Sequence, residues 1–80
     1  LDMQLIRGID VDLTRQSIVR NCLTMFKDLN ITPLAEGVET LGELSCLMTL
    51  GVSLIQGYVF ALGQHMIAIQ PAVDYILNSL

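Results

Sequence analysis

The chain has 80 residues, enough for one small domain; chains of this size bury only about 60–65% of their unfolded surface. It is 52% hydrophobic and 15% charged, with a mean hydropathy of +0.60, which is too apolar for the skin of an independent sphere and predicts packing against more protein or a second copy. A net charge of −4, with basic residues scattered at Arg7, Arg15, Arg20 and Lys27, excludes nucleic-acid binding through a run of phosphate contacts.

Read in chain order, "LDMQLI" (Leu1–Ile6) is the end of a strand. Asp12 or Thr14 then caps a helix running to about Leu29, with Ile18, Val19, Cys22, Leu23, Phe26 and Leu29 on one face and Asn30 as its C-cap. "ITPLA" (Ile31–Ala35) is a short buried strand, weakened at its start by Pro33, which has no N–H to donate. Thr40 and Glu43 form a T-x-x-E capping box, so a second helix begins at about Leu41, with Leu44, Leu47 and Met48 inward and Gly51 as a left-handed stop.

"VSLIQGYVF" (Val52–Phe60) is a strand with apolar residues on both faces, which suits a parallel sheet covered by helices. A loop follows, and Pro71 fits the first turn of a last helix carrying Val73, Ile76, Leu77 and Leu80. The alternation predicts an α/β fold of parallel strands joined by right-handed helical crossovers. No apolar run reaches the ~18–20 residues of a membrane span, because Gln56, Gln64 and Gln70 interrupt the hydrophobic half. No basic-then-apolar leader opens the chain, and a first residue of Leu rather than Met is expected if the start of a parent chain is missing. Cys22 and Cys46 lack metal-binding spacing and are expected to be free thiols in a reducing compartment.

Functional groups of α/β folds gather at the C-terminal ends of the strands. Glu36 ends the first full strand, and Gly37 permits a sharp turn behind it. Glu39 lies just before the Thr40 cap, where the helix dipole favours an ionised carboxylate, and that role alone would explain it. Gln56 interrupts the next strand and is followed by Gly57; it either faces the same mouth as Glu36 or is satisfied by a backbone carbonyl. His65 has no acidic or cysteine neighbour and reads as a loop histidine, while Tyr58 and Phe60 read as core.

"LAEGVET" (Leu34–Thr40), followed sixteen residues after Thr40 by "QGY" (Gln56–Tyr58), resembles the last third of an EAL domain, the bacterial family that hydrolyses cyclic di-GMP. "LDMQLIRGID" is similar to the segment around that family's Lys-x-Asp motif, with Asp2 as the aspartate. The resemblance implies a modified TIM barrel, of which residues 1–80 are the C-terminal part from the end of strand six through helix eight. It implies that Glu36 is a metal-site carboxylate, that Glu39 is the second, catalytic glutamate organising the site, and that Gln56, Gly57 and Tyr58 line the substrate pocket.

The implied activity is hydrolysis of cyclic di-GMP to linear pGpG, with two Mg²⁺ or Mn²⁺ ions activating a water for in-line attack. The implied partners are cyclic di-GMP, the remainder of the EAL barrel and a second copy of the parent as a homodimer, in the cytoplasm or on a membrane-anchored parent. The Glu-Ala-Leu signature, the Asn and Glu metal ligands and the Asp-Asp-Phe-Gly loop do not occur in the 80 residues. Mg²⁺ takes about six oxygen ligands, so Glu36 and Glu39 cannot organise two ions alone, and the isolated chain is expected to be catalytically silent. "ALGQHM" (Ala61–Met66) stands where the family has a basic residue and a proline. A second reading therefore stays open: a degenerate, non-catalytic module that senses cyclic di-GMP or mediates dimerisation. A third is a self-standing α/β domain that merely shares strand-end glutamates.

Overall fold

A computed structural model of the chain describes residues 3–59 and 64–69, with side chains over 5–57. In chain order the elements are α1 (Met3–Ile6), α2 (Leu13–Asp28), β1 (Leu34–Val38), α3 (Leu41–Leu50), β2 (Leu54–Val59) and β3 (Gln64–Ile69). Leu1, Asp2, Phe60 and the helix expected after Pro71 lie outside the described residues.

The first difference from the sequence reading is α1, a single helical turn where the end of a strand was expected. Met3, Gln4 and Leu5 are helix formers without branching at Cβ, and Gly8 at φ +70° follows them. The turn seats Ile6 and Ile9 in the core, with Ile9 N–H donating to the Ile6 carbonyl at 3.1 Å.

Helix α2 starts where the sequence places it, with Asp12 Oδ1 accepting from Arg15 N–H at 3.1 Å. It ends in a Schellman motif: Asn30 takes φ 58°, its N–H donates to Lys27, and Ile31 N–H reaches back to Phe26 at 2.8 Å. Asn30 therefore sits one residue past the cap, which is Leu29. Of the expected apolar face, Val19 is buried and Leu23 packs beside it, whereas Ile18 and Leu29 are exposed.

Strand β1 begins at Leu34, three residues later than expected, because the ladder cannot start before the donor-less Pro33. Helix α3 carries the complete capping box: Glu43 N–H donates to Thr40 Oγ1 at 3.0 Å and Glu43 Oε1 accepts from Thr40 N–H at 3.3 Å. Gly51, at φ 103°, stops the helix by donating to Leu47 and Met48.

The sheet has the order β1-β2-β3. β1 and β2 run parallel, as expected of a strand–helix–strand unit, in the register Leu34↔Leu54, Ala35↔Ile55, Glu36↔Gln56 and Val38↔Gly57. The register slips between Glu36 and Val38, where Gly37 at φ +81° is the extra residue of a bulge. The segment after β2, read as a loop, instead contains β3, antiparallel to β2, with Met66 opposite Gly57 and His65 opposite Tyr58. Ile67 and Ile69 have the two-residue spacing of a strand, but "FALG" between the strands lacks the Asn-Gly or Asp-Gly turn that announces a hairpin.

One face of the parallel pair builds the core. Ala35, Val38 and Ile55 pack with Leu44, Leu47 and Val52 from around α3 and with Ile6, Ile9 and Val19. The alternate positions, Glu36 and Gln56, point away from that core and are exposed. β1 and β2 approach so closely at the bulge that a Cβ on Gly57 would lie 2.6 Å from Val38 N and nearer still to the Val38 carbonyl oxygen. Backbone atoms cannot yield as a side-chain tip can, so Gly57→Ala should cost about 1–3 kcal/mol of stability, the range for overpacking. Urea unfolding measures this, and an unchanged midpoint would show that the strands part freely.

Candidate functional site at the strand ends

Glu36 and Gln56 are register partners on adjacent parallel strands, which lie about 4.8 Å apart. A carboxylate and an amide thus stand side by side on an open face of the sheet, though Glu36 does not end its strand as expected: it is the third of five residues in β1, because the bulge at Gly37 lets the strand run on to Val38. Glu36 makes no hydrogen bond or ion pair with the described residues, so its charge is available to a ligand. Gln56 is exposed rather than buried, so it needs no internal partner. Gly57 adjoins it over the bulge, and Tyr58 follows in β2, paired with His65.

Glu39 is held differently. Its carboxylate receives Arg7 Nη2 at 2.9 Å, across 32 residues of sequence. The same guanidinium spans further: Nη2 donates to the Gly37 carbonyl at 3.4 Å, and Nη1 approaches both Glu43 oxygens at 3.5 Å. Arg7 is braced from behind, since Arg15 Nη1 donates to its carbonyl while Arg15 Nε pairs with Asp12 at 3.2 Å.

Glu43 is the centre of this network. Only 2% exposed, it accepts from Gly8 N–H at 3.0 Å, Glu39 N–H at 3.0 Å and Thr40 N–H at 3.3 Å besides Arg7. Neither Arg7 nor this second role of Glu43 was read from the sequence. The capping box was the only signal for Glu43, and Arg7 looked like one of four scattered cations.

Burial alone pushes the Glu43 carboxyl up, but the N–H donors of Gly8, Glu39 and Thr40, with the Arg7 charge, outweigh it and hold it below its ordinary value of 4.5. A depressed folded-state value contributes stability that is complete above 4.5 and is lost as the pH falls through the folded-state value. The fall in thermal midpoint on acidification below about pH 5 should therefore be shallower in Glu43→Gln than in the wild type. Parallel curves would remove Glu43 from the acid transition.

The donor set bears on metal binding. Glu36 offers hard oxygen atoms of the kind Mg²⁺ and Mn²⁺ take, yet among the described residues no three His, Cys, Asp or Glu side chains come together. Glu36 fits as one ligand of a site completed elsewhere. Both cysteines are free and half-buried; Cys46 donates to the Ile9 carbonyl at 3.6 Å, and burial raises its thiol. A cavity of about 600 Å³ opens at the opposite end of the strands, beside Arg20, Lys27, Pro33 and Ser53. The C-terminal ends of α2 and α3 line it, and neither Glu36 nor Gln56 does. Among the described residues no helix is long and apolar enough to cross a membrane.

The family model "EAL domain" matches residues 1–62. A standalone versatile EAL protein from Vibrio cholerae O395, solved in its c-di-GMP-bound form, superposes with a TM-score of 0.74 at 47% identity, covering 92% of this chain and 32% of that one. The chain thus spans about a third of that protein's length. No curated protein matches it.

Proposed function

The chain belongs to the EAL domain family, and on that premise we propose that it forms the C-terminal part, from the end of strand six through helix eight, of a bacterial cyclic di-GMP phosphodiesterase. The α/β architecture is that of a TIM-barrel-like fold, and the family is one of cyclic di-GMP-related phosphodiesterases. The observation that carries the reading is the Glu36–Gln56 pair, exposed on the face opposite the helices. That face is the interior of a barrel when further strands close around it.

In this reading Glu36 is the chain's metal ligand, for Mg²⁺ or Mn²⁺, which when bound would supply an activated water and neutralise charge on a phosphodiester. Gln56 donates and accepts hydrogen bonds along the substrate. Gly57 keeps the rim narrow enough for both strands to contribute, and Tyr58 extends the pocket wall. Glu39, committed to Arg7, serves the reaction by organising the strand end. The product is linear pGpG, the remaining ligands come from the rest of the barrel, and the parent works in the cytoplasm as a homodimer, either free or anchored to a membrane.

The test grafts this segment in place of its counterpart in the Vibrio cholerae protein, which 47% identity makes feasible. The graft should hydrolyse cyclic di-GMP in Mg²⁺ and stop on chelation. Glu36→Ala should lose about 1000-fold in turnover, near 4 kcal/mol of barrier, and Gln56→Ala should raise KM about tenfold. The 80-residue chain alone should show no turnover. Unchanged hydrolysis by Glu36→Ala would remove the assignment.

The segment "ALGQHM" (Ala61–Met66), standing where the family has a basic residue and a proline, supports one second reading, a cyclic di-GMP sensor without catalysis. Titration calorimetry separates the two: the sensor binds cyclic di-GMP equally well with and without Mg²⁺ and releases no pGpG.

A further inference from the structure

Arg7 is a long-range cation to which the proposed reaction assigns only the holding of Glu39. Its guanidinium contacts three groups on the segment that follows Glu36: the Gly37 carbonyl, the Glu39 carboxylate and the Glu43 carboxylate. Gly37 is the bulge residue, at φ +81°, and its conformation sets the direction in which the strand delivers the preceding side chain. A left-handed glycine is the softest point of the strand. Something must hold it, and the ladder cannot, because the register slips there.

We propose that Arg7 is a positioning residue for Glu36: anchored on buried Glu43, it fixes the bulge at Gly37 and the Glu39 side chain, and so aims the Glu36 carboxylate at the metal. The inference rests on the reading of Glu36 as a metal ligand. The forked shape of arginine is what the geometry demands, since one nitrogen faces Glu43 while the other serves both Gly37 and Glu39. Lysine carries the same charge as a single point and cannot span the three acceptors. Arg15 acts one step back, since its donation to the Arg7 carbonyl ties the clamp to the start of α2.

The experiment uses the complete barrel carrying this segment, with Arg7→Lys, Arg7→Met and Glu36→Ala made in parallel. Three quantities are read: Mn²⁺ affinity by paramagnetic resonance without substrate, kcat and KM for cyclic di-GMP, and the thermal midpoint. Arg7→Lys keeps a cation beside Glu43 and guards against simple unfolding. Both Arg7 variants should weaken Mn²⁺ binding about tenfold and lower kcat about 10- to 100-fold, with KM within about threefold, the loss expected when a neighbour of a metal ligand is removed. Retained Mn²⁺ affinity and kcat in Arg7→Lys, with only the thermal midpoint lowered, would make Arg7 a structural residue and overturn the proposal. Full Mn²⁺ affinity in Glu36→Ala would instead overturn the metal-ligand reading, and the Arg7 proposal with it. Loss in Glu36→Ala without loss in the Arg7 variants would sink the Arg7 proposal alone.

Discussion

A carboxylate removed from water must be surrounded by donors or protonated, and that requirement at Glu43 organises the junction between the N-terminal turn and the start of α3. Its two oxygens collect the N–H groups of Gly8, Glu39 and Thr40 and the guanidinium of Arg7. These donors come from two regions far apart in the chain, the turn after α1 and the junction between β1 and α3. One charge thereby joins the N-terminal turn to the segment that follows β1, the strand that carries Glu36. Arg7 is 40% exposed, so solvent screens its share, and the backbone donors carry most of the compensation.

The second constraint is the bulge. An extra residue at Gly37 breaks the register after the Glu36–Gln56 pair and brings the Val38 backbone against Gly57. The two glycines are complementary: one takes a backbone conformation that L side chains rarely adopt, and the other leaves room for the resulting close approach. Together they end the parallel ladder beside the two polar side chains. Arg7, holding the Gly37 carbonyl, connects this bulge to the Glu43 hub.

The unit has a clear polarity. Glu39 follows the end of β1 and Glu36 and Gln56 lie within β1 and β2, whereas the cavity beside Arg20 and Lys27 is lined by Pro33 and Ser53, which precede the two strands. Exposed apolar side chains are numerous on and around α2: Val11 is 82% exposed and Leu13 79%. In a chain spanning 32% of an EAL protein, such surface is expected against neighbouring elements of a barrel.

Much was legible without coordinates. Local chemistry determined both caps of α3 and the start of α2, because a capping side chain and its target N–H lie within three or four residues. The AEGVET and QGY stretches located Glu36 and Gln56, and alternation along two short strands turned them to one face. Three features were decided only by tertiary structure. The first turn is helical because Ile6 and Ile9 find the core that way, not because four residues prefer it. β3 forms by pairing with β2, and no turn signal in the sequence declares that partner. Arg7 meets Glu43 across 36 residues, and such a meeting depends on how the elements pack, which spacing along the chain does not encode.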